Sequence, residues 1–191
     1  MAVGSNHRFR LRTLADPDGL VMPSIGHLAV GLAAARVTEP PRGLERRLWT
    51  LLLVAASSAP DLDVLAFPLG IPYAAAFGHR GATHSFVFAG VSGCALGLAA
   101  RMFGLPALRV ILCVSLVMAS HGVLDAFTDG GRGIALLWPF ENHRYFAPWR
   151  PIPVSPIGIR IFSPRGLYVM SYESLLFLPL IVVAAWPRRR T

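Results

Sequence analysis

Residues 108–131 read L-R-V-I-L-C-V-S-L-V-M-A-S-H-G-V-L-D-A-F-T-D-G-G. From Leu108 to Thr128 the run is mostly apolar and as long as a bilayer span, which needs about 20 such residues. Asp129, before Gly130 and Gly131, reads as a turn. Two ionisable residues, His121 and Asp125, stand in the last turns of the run. Four apart on a helix, they lie on one face with Cβ atoms roughly 5–6 Å apart. Ionisable side chains at membrane depth are costly and mark sites. The stretch therefore predicts a membrane helix with a functional group at one end.

Four more apolar segments flank it, at 25–37, 48–69, 85–103 and 167–186. Of the 191 residues 54% are apolar and 15% charged, against roughly 25% charged in a soluble domain. Mean hydropathy is +0.54. This balance excludes disorder, a coiled coil and a disulfide-stapled secreted module. It predicts an all-α integral membrane protein of about five transmembrane helices. A long loop rich in Pro, Gly and aromatics precedes the last helix and includes Trp138, Phe140 and Trp149. Its composition suits an interfacial or re-entrant segment. Residues 1–21 are polar and lack the apolar stretch of a signal peptide. Met22 offers an alternative start, leaving one helical domain over 22–187 and a basic tail at 188–191. Cys94 and Cys113 lie inside apolar runs without a C-x-x-C partner and read as packed thiols.

All 18 basic residues are arginine, against 10 acids. They cluster at the ends of apolar runs, which is topology anchoring; no basic helix face or Arg/aromatic interleaving points to nucleic acid. Direct nucleic-acid binding is not expected. If five spans alternate across the membrane, the arginines divide evenly between the two faces. One face packs Arg36, Arg42, Arg46, Arg47, Arg101, Arg109 and the terminal three into short segments, where the positive-inside rule applies best. That face is expected to be cytoplasmic.

The same alternation sends every polar candidate to the opposite face: His27, Asp61, Asp63, His79, His84, His121, Asp125 and Glu173. One assembled site requires such sorting. Imidazole nitrogen with carboxylate oxygen suits zinc or manganese, with other first-row metals open, as one ion or two. A proton or ion relay uses the same residue types. Singly, His27 also reads as a capping or packing residue, Asp63 as an interfacial acid, His143 as a solvated loop histidine and His7 as part of the polar tail.

P-D-L-D at 60–63, H-R-G-A-T-H-S at 79–85 and S-H-G-V-L-D-A-F-T-D-G-G at 120–131 stand in order, followed by L-L-W-P-F at 136–140 and Glu173. This pattern resembles the YdjM-like family of inner-membrane metal-dependent hydrolases, also described as LexA-binding, whose hydrolase activity is mostly inferred. The resemblance runs from about Met22 to Pro187. It implies a multi-pass membrane protein with Asp61 or Asp63, His84, His121 and Asp125 as core metal ligands and His27 and His79 as the next candidates. A looser similarity is to zinc-dependent phospholipase C and related nucleases. A soluble protein partner is implied by the family description alone.

The expected activity is metal-dependent hydrolysis of a phosphoester or lipid-type substrate at one face of the bacterial inner membrane. In this reading Asp63 or Glu173 is the general base, and Arg80 either holds a phosphate or anchors the chain at the headgroups. Trp138, Phe140 and Trp149 either guide a lipid or form the aromatic belt. The alternatives are a metal- or proton-coupled transporter and a regulatory membrane protein that docks a soluble partner. No internal repeat supports a transporter, and neither a serine nucleophile elbow nor a Walker motif is present.

Overall fold

The computed structural model describes residues 24–156 and 158–187. The polar 1–21 segment, the alternative start at Met22, His7 and the 188–191 tail lie outside them. Six α-helices follow in order: α1 (Ile25–Val37), α2 (Arg46–Ser58), α3 (Phe86–Met102), α4 (Ala107–Ala126), α5 (Pro164–Leu176) and α6 (Leu178–Ala185). Short 3₁₀ segments cover Ala59–Ala66, Ala82–His84 and Gly158–Phe162. Among the described residues there is no strand, only two isolated bridges, Thr128 with Ile152 and Ile134 with Tyr145.

All five expected apolar segments are helical. Two are long and apolar enough to cross a bilayer: α4, and α2 continued by its 3₁₀ extension to Ala66, 21 residues in all. A third qualifies if α5 and α6, bent by 67°, count as one span. Helices α1 and α3, of 13 and 17 residues, are shorter apolar helices. At 1.5 Å per residue they extend roughly 20 and 25 Å, less than the roughly 30 Å hydrocarbon core. The α5–α6 bend falls at Phe177, with Pro179 two residues later. Proline has no N–H for the preceding turn and its ring clashes with it, so the helix breaks there.

The core lies where α2, α3 and α4 meet, around Trp49, Leu53, Ala89, Val110 and Val114. Helix α3 approaches α4 through Gly93 and Gly97. A Cβ at either would lie 2.8 Å from the Ile111 carbonyl oxygen or 2.9 Å from that of Ala107. Backbones that close are characteristic of membrane helix pairs, which gain from packing rather than from water exclusion. Outer faces carry exposed Leu51, Leu62, Leu108, Leu112 and Leu116, the distribution expected of a lipid-facing surface.

Helix ends are capped from nearby and from afar. Ser85 and Ser163 accept the N–H groups of Phe88 and Gly166, at the starts of α3 and α5. The start of α1 is capped by a distant acid: Glu173 accepts the Gly26 N–H at 3.2 Å. This contact joins α5 to α1 and brings two parts of the site together.

The long loop after α4 is fastened by Arg144. Its guanidinium donates to the carbonyls of His79, Arg80, Gly133, Tyr73 and Ala75. One side chain thereby satisfies acceptors from two irregular segments that lack ladder partners.

Candidate metal centre

Pro60 opens the site. It has no N–H to donate to the Ser57 carbonyl three residues back. His121 Nδ1 takes that carbonyl at 2.7 Å. With Nδ1 as donor, the lone pair of His121 is on Nε2, which lies 3.2 Å from His84 Nε2. Two imidazole nitrogens so close need a proton or a cation between them.

Two carboxylates join this pair. Asp61 Oδ1 is 3.4 Å from His121 Nε2 and 3.7 Å from His84 Nε2. Asp125 Oδ2 is 3.3 Å from His84 Nε2 and 3.9 Å from His121 Nε2. Ligand atoms of Asp61, His84, His121 and Asp125 all lie within 4.8 Å of one another. Four donors held tetrahedrally at zinc-like bond lengths of about 2.0–2.1 Å stand roughly 3.3–3.4 Å apart. The observed separations bracket that value, so these four residues could hold a metal ion. Three are buried, and the Asp61 side chain is 16% exposed.

A second layer orients the donors. Asp63 lies 3.1 Å from His84 Nδ1 and 2.6 Å from His79 Nδ1. It also accepts the Arg80 backbone N–H and the Thr83 hydroxyl, at 2.9 and 2.8 Å. Both its oxygens are engaged. Burial works to lower the His84 pKa, but the Asp125, Asp61 and Asp63 carboxylates outweigh it and raise it well above the ordinary value. Tyr73, in the 67–79 loop, is pushed up by burial, with Arg80 opposing.

Asp125 links three groups. Besides facing the cluster it lies 3.3 Å from His27 Nε2 and 3.2 Å from Arg80 Nε. His27 stacks on His121, ring centroids 3.6 Å apart, and its Nδ1 is buried without a partner. Arg80 has φ 61°, a strained value for a side-chain-bearing residue. Its Nη1 donates to the Thr128 hydroxyl and the Gly130 carbonyl, at 2.8 and 2.9 Å.

A cavity of about 170 Å³ adjoins the cluster, lined by His27, Asp61, Arg80, Asp125 and Glu173 among others. His84 and His121 lie behind it. Of the expected residues, His27, Asp61, His84, His121 and Asp125 meet in direct contact. His79 touches the group through Asp63, and Glu173 reaches the cavity from α5. His143 is exposed and pairs with Tyr145 instead. The sequence reading missed the Ser57 carbonyl, Thr83, Thr128 and Arg144. Only Pro60 signalled any of them, by freeing a carbonyl.

The family model for the YdjM inner membrane protein matches residues 22–189. The chain belongs to the YdjM inner membrane protein family. It is also 38% identical over 168 residues to inner membrane protein YbcI of Escherichia coli (strain K12), covering 85% of this chain and 94% of the relative. No solved structure matches it. Membership in an inner membrane protein family agrees with the span-length helices α2 and α4. The His/Asp cluster of this family member draws on the three strings at 60–63, 79–85 and 120–131 that carried the resemblance.

Proposed function

We propose that this chain is a membrane-embedded metal-dependent hydrolase acting on a phosphoester or lipid-type substrate at one membrane face. The observation that supports it is the convergence of Asp61, His84, His121 and Asp125, whose ligand atoms lie within 4.8 Å of one another, beside a cavity that also holds a buried guanidinium. Two imidazoles with two carboxylates suit zinc best, with manganese or another first-row ion next. When bound, such an ion supplies Lewis acidity and brings the pKa of a water toward about 7.

The residues divide the remaining work. His84, His121 and Asp125 would hold the ion throughout. Asp61, the most exposed of the four, would be the most readily replaced of these ligands. Asp63 fixes the His84 ring, as outer carboxylates do for metal-bound histidines. Arg80 Nη2, outside the bonds to Thr128, Gly130 and Asp125, is left for a phosphoryl oxygen. Glu173 takes the proton from the attacking water. The new O–P bond forms as the ester P–O bond breaks, and the proton passes to the leaving alkoxide. The arginine distribution supports a site facing away from the cytoplasm.

The test is elemental analysis of detergent-purified protein by plasma mass spectrometry, beside His84→Ala, His121→Ala and Asp125→Ala. About one ion per chain in the wild type, lost in all three folded variants, is the expected result. Hydrolysis of phosphoesters and phospholipids is then screened with metal-loaded protein. Protein without stoichiometric metal after metal-replete purification sinks the reading and points to a polar relay.

A further inference from the structure

The cavity lining falls into two chemically distinct sets of residues. His27, Asp61, Arg80, Asp125 and Glu173 form one; Leu124, Ile152, Val154 and Phe177 form the other. Two helical pairs carry this division. On α5, Glu173 precedes Phe177 by one turn, and both line the cavity. On α4, Leu124 stands beside Asp125 in the same wall.

Exposed apolar residues surround the cavity-lining Phe177. Half-buried Phe177 occupies the 67° bend between α5 and α6. Its neighbours Leu176 and Leu178 are 38% and 49% exposed, and Leu175 is 72% exposed. Val154, also in the lining, is held by its N–H, which donates to Asp129 Oδ1 at 2.7 Å. At about 170 Å³ the cavity is smaller than the roughly 300–1,000 Å³ of a pocket that encloses a whole drug-sized ligand. It holds a headgroup and leaves the rest of a longer molecule outside.

We infer that the substrate is a membrane lipid with a phosphate-bearing headgroup, which enters sideways at the α5–α6 bend. The headgroup lies among the polar lining residues, beside Arg80. The glycerol-proximal part of the acyl chain lies along Leu124, Val154 and Phe177, and the rest stays in the bilayer. A water-soluble phosphoester gains nothing from that apolar wall. This inference rests on the hydrolase reading of the same site.

The test uses wild-type protein in mixed detergent–lipid micelles and a phosphatidic acid with a diazirine near the glycerol end of one acyl chain. After irradiation, adducts are mapped by peptide mass spectrometry, with excess unlabelled phosphatidic acid or glycerol 3-phosphate as competitor. Saturable labelling within 124–128, 152–156 or 173–178, displaced by the lipid and not by glycerol 3-phosphate, is expected. Val154→Trp, which adds bulk among the apolar lining residues, is expected to weaken that labelling at least about tenfold, roughly 1.4 kcal/mol, with metal content unchanged. Saturable labelling confined to the outer helix faces overturns the inference. So does metal-loaded protein with equal kcat/KM on glycerol 3-phosphate and phosphatidic acid. Lipid held at the bend by protein that binds no metal removes the hydrolase reading and leaves the lipid site standing.

Discussion

The Asp63 carboxylate lies 3.1 Å from Nδ1 of His84, on the ring edge away from the Nε2 that meets His121. One nitrogen is thereby held by an acid so that the other points into the cluster. Replacing Asp63 with Asn keeps the size but removes the charge and one acceptor oxygen. Metal affinity of Asp63→Asn, measured by competition with a chromophoric chelator, is expected to fall by about 10–100-fold, the usual cost of losing such a partner. Unchanged affinity would mean that Asp63 does not position His84.

Asp61 and Asp125 both belong to the group that could hold a metal ion, yet they differ in setting. Both border the cavity, but Asp125 is also tied to Arg80 and His27, whereas Asp61 is more exposed. Asp125→Asn is therefore expected to lose bound metal on dialysis, while Asp61→Asn retains most of it with slowed turnover. Plasma mass spectrometry on the two variants decides. The reverse order of metal loss would transfer the permanent-ligand role to Asp61.

Gly122 sits next to His121 where α4 passes the His84 turn. A Cβ there would fall 2.3 Å from the His84 carbonyl oxygen. That atom is backbone and cannot rotate aside. Gly122→Ala is expected to push the His84 turn off α4, costing about 1–3 kcal/mol as overpacking does and lowering metal occupancy. A thermal-unfolding shift together with metal analysis checks both parts. Full occupancy and an unchanged Tm would show that the two backbones have room to separate.

Arg144 holds five carbonyls from two loops. Truncation to Ala strands buried and half-buried acceptors, at about 1–3 kcal/mol for each one left without water or another donor. Arg144→Ala is expected to lower Tm and to open the 129–156 segment to protease. Arg144→Lys restores charge but not the planar fork, so it should recover only part of the stability. Limited proteolysis of the three proteins ranks them; complete rescue by lysine would mean that charge alone matters.

The helical segments and the gathering of ionisable residues at one end were legible in the sequence. Apolar runs and rare buried acids or histidines are local signals with a direct physical cost behind them. The His121–Asp125 pair was readable for the same reason, because four-residue spacing on a helix fixes a shared face. Lengths were less secure: α1 and α3 end sooner than a span requires, and the last segment breaks at Phe177.

What tertiary structure alone decided is which of the candidates meet, and through which atoms. Asp61 and Asp63 are two apart in the sequence, and only their 3₁₀ geometry, with three residues per turn, points them in different directions. Asp61 reaches His121 and His84, whereas Asp63 reaches His79 and the far edge of His84. Glu173 gains its place from an N–H on Gly26, 147 residues away in sequence. Arg144 is one of 18 arginines in the chain and carries no local mark. Its role follows from the carbonyls of two irregular loops that converge on one guanidinium, and that convergence appears only once the loops are folded together.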